Sequence, residues 1–159
     1  MTLLKGSEFA DKDQRDFFKT QILFWLLDAT DGHAKNFSIV HKPKGVYCLT
    51  PLYDIISCHP IIGNGRNKVP YNKLTLAMSV RGKKPYYHLE DIQRRHWHNH
   101  AKIVGLGADV AEEMIEELVS QTDNVINQVT TQLPTSFPMD MANMIFEGIR
   151  QQCTTLKLS

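Results

Sequence analysis

Between Asp11 and Asp28 the apolar residues Phe17, Phe18, Ile22, Trp25 and Leu26 recur at intervals of three and four, the repeat that lines one face of an α-helix. Asp11 and Asp13 fall where the positive end of that helix favours acids. Thr30, Asp31 and Gly32 are turn formers, so the helix should stop near Ala29. In FSIVHKPKGVYCLT two short β-prone segments flank Lys42 to Gly45, which predicts a β-hairpin. Thr50 to Pro70 holds three prolines and two glycines and reads as loop, with at most one helical turn across Leu52 to Cys58. Leu74 to Val80 alternates as a third strand, closed by the basic turn Arg81, Gly82, Lys83 and Lys84.

Helical spacing returns from Arg94 to Val104. It runs longest from Val110 to Leu133, where Met114, Ile115, Leu118, Val125, Ile126 and Val129 share a face and Pro134 ends the pattern. Pro138 suits the first turn of a last helix reaching about Cys153, with Met141, Ile145, Phe146 and Ile149 on one side. The pattern predicts a mainly α fold with a small β-hairpin element, one domain over residues 1–159.

A chain of 159 residues can bury roughly 70% of its unfolded surface without staples. No apolar run approaches the ~20 residues that span a bilayer, which excludes a transmembrane helix. The start lacks the segments of a secretory leader. Cys48, Cys58 and Cys153 are odd in number and have no metal-ligand spacing. The expected setting is therefore cytoplasmic.

Near-neutral net charge conceals a division. Residues 61–105 carry nine basic and two acidic side chains, and residues 106–159 carry two basic and eight acidic. The two blocks either steer a polyanion to one face or face each other.

The densest chemistry lies in DATDGHAKNFSIV, where the first helix gives way to the hairpin. Asp31 and Asn36 are five residues apart, and Asp54 follows the hairpin eighteen positions after Asn36. Because a hairpin folds back, Asp54 should return to Asn36. Mg²⁺ takes one or two carboxylates and completes its shell with water and phosphate oxygens, which suits Asn36 and Asp54. An aspartate free of the metal can accept a proton from an attacking hydroxyl, and protein kinases use Asp-x-x-x-x-Asn in this way. The competing reading is an Asp/Asn-rich turn that satisfies its own backbone.

ATDGHAKNFS with LTPLYDIIS, and further on KLTLAMSVRGKK and LPTSFP, resembles the C-terminal lobe of the HipA family, the kinase toxins of bacterial type II toxin–antitoxin pairs. The likeness runs from about Asp11 onward. It implies a protein-kinase-like C-terminal lobe that moves the γ-phosphate of ATP to a serine or threonine hydroxyl. Asp31 would be the catalytic base, His33 and Lys35 auxiliary loop residues, and Asn36 and Asp54 the holders of Mg²⁺ and, through it, ATP. It further implies a HipB-like antitoxin, operator DNA met through the antitoxin complex, and a protein substrate such as an aminoacyl-tRNA synthetase.

Two departures stand out. Many serine/threonine kinases place a lysine two residues after the catalytic aspartate, whereas here that position is His33 and the lysine is Lys35. The family's N-terminal portion, which covers the phosphates, has no counterpart before Met1. The chain then reads as a cut piece, a degenerate gene, or half of a split kinase whose N-lobe is a separate chain. Without that lobe, phosphoryl transfer should be very slow. The alternative is a catalytically inactive lobe that docks on antitoxin or DNA.

Three smaller groupings complete the set. Arg81, Lys83 and Lys84 form a basic turn fit for backbone phosphates, or simply a solvated hairpin tip. His96 and His100 share a helix face at the spacing of some zinc sites, with an ordinary exposed face as the alternative. Cys58 beside His59 reads as a partly buried thiol rather than a nucleophile.

Overall fold

Helix α1 (Ala10–Leu26) runs through the centre of the core in the computed structural model, which describes residues 1–158. The expected apolar face is buried: Phe18, Ile22, Trp25 and Leu26 have almost no exposed surface. Trp25 keeps its one polar atom satisfied by donating from Nε1 to the Leu89 carbonyl at 3.0 Å. The helix stops as expected. Asp28 N–H bonds the Trp25 carbonyl and Ala29 N–H bonds that of Phe24, the two bonds of a Schellman ending. Glycine usually takes the left-handed position of this ending, yet here Asp28 adopts it with φ 48°.

The chain then makes a short 3-10 turn at Ala34–Asn36 and enters the expected hairpin, β1 (Ile39–His41) and β2 (Tyr47–Leu49), antiparallel with Val40 opposite Cys48. Buried Asp13 anchors this hairpin to α1. It accepts the Leu49 N–H at 2.8 Å and the Ser7 hydroxyl.

Residues 51–58 are loop, in keeping with the reading of at most one turn there, and a 3-10 turn follows at His59–Ile61. Asp54 has a left-handed φ of 57°, which a right-handed turn cannot absorb, and Ile55 is drawn against the core. The third strand, β3 (Thr75–Arg81), is present and pairs with a fourth, β4 (Pro85–His88), across the basic turn. Sequence pattern did not give β4.

Helices α2 (Arg94–Val104), α3 (Ala108–Gln132) and α4 (Met139–Leu158) close the core from the other side. Helix α4 runs past the expected end at Cys153 because Leu156 is itself fully buried. The mainly α architecture with small antiparallel sheets agrees with the pattern in the sequence.

The acidic face of α3 is met from both α1 and α2, so the basic block of residues 61–105 faces it through Arg94 and His98 while Arg15 and Lys19 come from the first part of the chain. Glu112 and Glu116 take Arg94, Glu113 takes Arg15 and Glu117 takes Lys19. Glu112 also meets His98 Nε2 at 2.6 Å. Most of these pairs are well exposed, so each contributes modestly. The expected exposed histidine face is overturned. His96 stacks on Tyr86 at 3.9 Å and His100 packs edge-on to Phe18, both rings buried. Among the described residues no group of three or more His, Cys, Asp or Glu gathers as a metal site. Among those residues, too, no helix is long and apolar enough to cross a membrane.

Candidate functional site

The loop after α1 is fixed from beneath by aromatic packing. Phe37 sits 4.5 Å from the ring of Phe17 and 5.9 Å from that of Phe24. Gly32 lies so close to the Phe24 ring that an added Cβ would fall on it. The demand here is for space rather than for an unusual backbone angle. Phe24 is nearly fully buried, so the loop backbone is held against a rigid wall.

On this base Asn36 is buried, and its side chain is satisfied at both ends. Its Oδ1 accepts the His33 N–H at 3.2 Å and its Nδ2 donates to Asp54 Oδ2 at 2.7 Å. The hairpin therefore does what its sequence predicted: it returns Asp54 to Asn36 across eighteen positions. The left-handed kink at Asp54 separates half-buried Ile55, which faces the core, from exposed Tyr53.

Asp31 projects into solvent, its side chain 81% exposed, with His33 Nε2 3.7 Å from its Oδ1. His33 Nδ1 is buried, with no side-chain hydrogen bond to it among the described residues. Lys35 is exposed, and no carboxylate among the described residues pairs with it. Three further contacts that sequence spacing could not show stitch the loop to the segment around Asp54. Thr30 Oγ1 lies 3.2 Å from Cys58 Sγ, and the Tyr53 hydroxyl reaches Ser38 Oγ at 2.7 Å and the Lys35 carbonyl at 3.1 Å. Cys58 is partly buried, as expected, and its contact is with Thr30 rather than with a base.

Asp54 offers a carboxylate and Asn36 Oδ1 a hard oxygen with a lone pair beyond the one used by the His33 N–H, the ligand types Mg²⁺ takes, while the direct contact to Asp54 is made by the Asn36 amide nitrogen, which would give way to a cation held by the two oxygens. Arg81, Lys83 and Lys84 stand apart from this junction, on the β3–β4 hairpin. All three are exposed and have no carboxylate partner among the described residues.

A second polar cluster, unforeseen from sequence, lies beneath the start of the loop. Asp28 Oδ2 is 3.2 Å from His59 Nδ1, and Asp28 Oδ1 accepts from Gln152 Nε2 at 2.6 Å. Gln152 also donates to the Tyr71 hydroxyl at 2.8 Å, and His59 Nε2 reaches the Leu26 carbonyl at 3.0 Å. Burial pushes the Asp28 carboxyl up to about 6 against the opposing pull of His59. It also raises the Tyr71 hydroxyl to about 12, with Asp28 adding to the shift. These groups line one side of a cavity of about 600 Å³ between α1 and α4.

Residues 1–126 match the family model for the HipA-like C-terminal domain. Among solved structures, the HipA toxin–antitoxin complex of Shewanella oneidensis MR-1, with HipB and operator DNA, superposes with a TM-score of 0.82 at 16% sequence identity. The match covers 98% of this chain and 34% of that one, so this chain spans about a third of its neighbour. At such identity the likeness is one of fold.

Proposed function

The chain belongs to the HipA-like C-terminal domain family, and from that premise we propose that it is the C-terminal catalytic lobe of a serine/threonine kinase toxin. The observation that carries the proposal is that the hairpin brings the Asp54 carboxylate to the Asn36 side chain, whose Nδ2 donates to Asp54 Oδ2 at 2.7 Å. Asn36 and Asp54 would hold Mg²⁺, which would supply positive charge to offset that of the transferred phosphoryl group.

The chain's own residues supply the rest. Asp31, open to solvent, accepts the proton of the incoming hydroxyl. His33 beside it orients that carboxylate, and Lys35 brings a positive charge to the rim of the loop. The roof over ATP belongs to an N-terminal lobe, in the same protein or on a separate chain. A HipB-like antitoxin is the proposed partner, with operator DNA met through that complex and with Arg81, Lys83 and Lys84 facing its phosphates. The protein substrate is a hydroxyl-bearing target such as an aminoacyl-tRNA synthetase.

The test is a titration of Mg²⁺-ATP into the chain, followed by heat and by thermal shift. A saturable response in wild type that disappears in Asp54→Ala supports the nucleotide site. Absence of a response in wild type, or an equal response in Asp54→Ala, overturns it.

A further inference from the structure

We propose that Tyr53 is a positioning residue, whose hydroxyl clamps the peptide unit before Asn36 and so fixes the geometry of the Asn36–Asp54 pair. The inference rests on the reading of that pair as the metal-holding part of a phosphoryl-transfer site.

The direction of the hydrogen bonds follows from their chemistry. The Lys35 carbonyl can only accept, so the Tyr53 hydroxyl must donate to it at 3.1 Å. The single phenolic proton is then used, and Ser38 Oγ, 2.7 Å away, must donate to the Tyr53 oxygen. A chain of two hydrogen bonds, Ser38 to Tyr53 to Lys35, results, in which each bond polarises the other.

The peptide that receives it is the one linking Lys35 to Asn36. Its N–H, on the Asn36 side, bonds the His33 carbonyl at 2.9 Å, and its C=O takes Tyr53. Held at both ends, this plane cannot rotate, and the direction in which the Asn36 side chain leaves the backbone is set.

The other end of the clamp is equally specific. Tyr53 immediately precedes Asp54, whose left-handed φ of 57° is uncommon for a residue other than glycine, asparagine or aspartate. Ile55, on the far side of the kink, packs against the core. Asp54 is thus fixed on one flank by an apolar anchor and on the other by a hydroxyl that grips the partner loop. One side chain links the backbone next to Asn36 with the backbone next to Asp54.

The experiment follows the Asn36 side-chain amide by NMR in the full chain. It compares wild type, Tyr53→Phe, Ser38→Ala and Asp54→Ala, with the Gln152 side-chain amide as internal control because its acceptor, Asp28, lies in the separate buried cluster. Tyr53→Phe keeps the ring and removes only the clamp. Exchange of the Asn36 amide protons should quicken about fivefold, approaching Asp54→Ala, while Gln152 and the thermal midpoint stay at their wild-type values. Ser38→Ala should fall between, since the bond to Lys35 survives. An Asn36 amide in Tyr53→Phe that matches wild type overturns the proposal, as does parallel loosening of Asn36 and Gln152. Mn²⁺ added to wild type separates the two layers of inference. Failure to broaden the Asn36 resonances would remove the metal reading, while the exchange data would still decide whether Tyr53 fixes the pair.

Discussion

Asp28 and His59 lie 3.2 Å apart in the interior, the carboxylate on the left-handed residue that ends α1 and the imidazole on the 3-10 turn that follows the loop. Burial lifts the Asp28 carboxyl from 3.8 to about 6, so between those values the folded chain binds more protons than the unfolded one. Stability from this group is fully present below pH 3.8 and is lost as pH rises through 6. Asp28→Asn cannot titrate. The stability of wild type relative to Asp28→Asn should therefore decline from pH 4 to 6 and stay flat above, which urea denaturation across that range would check. A constant difference would remove the linkage.

His100 behaves in the opposite sense. Burial first, and the nearby Arg81 charge second, push its imidazole from 6.5 down to about 4. The neutral ring is the one the structure needs, because Nδ1 accepts the Arg81 N–H at 3.2 Å and a proton there would face another donor. Its contribution is present above pH 6.5 and lost as pH falls toward 4. His100→Phe keeps the aromatic packing but leaves the Arg81 N–H unpaired, a cost of about 1–3 kcal/mol at neutral pH. That deficit should shrink as the solution is acidified. Because the Asp28 and His100 windows overlap with opposite slopes, their effects on the wild-type curve partly cancel, and the single variants expose them.

Gly32→Ala tests how firmly the loop is seated. The new methyl meets the Phe24 ring, and either the ring or the loop carrying Asp31 must move. The expected cost is about 1–3 kcal/mol by chemical denaturation, the range for overpacking a filled core. In the same variant the Asn36–Asp54 contact should loosen, seen as faster exchange of the Asn36 amide. Full wild-type stability would mean that the wall behind the loop yields.

The helices were legible because each buries one face. Their apolar residues recur at the helical interval, and α1 stops where Thr30 to Gly32 make continuation costly. Strand β4 was hidden because Pro85, Tyr87 and His88 are exposed and only Tyr86 is half-buried, which leaves no clear alternation to detect. The meeting of Asn36 with Asp54 was legible through one topological rule, that hairpins return. The partners of that pair were not. Tyr53 reaches Lys35 and Ser38 across the loop, and Thr30 meets Cys58, through contacts that no periodicity encodes. The histidines misled because the repeat in HWHNH marks a helix face without saying which way it turns. His96 and His100 turned inward.

The link from Gln152 back to Asp28 spans 124 positions. During synthesis, the carboxylate that closes the first long helix meets its amide only after the 124 positions to Gln152 have been made. Until then α1 presents an open apolar trough with an acid at its rim, the kind of half-made surface that chaperones and proteases sample. The buried Asp28 cluster is therefore a late contact, since so long a loop must close before it can form.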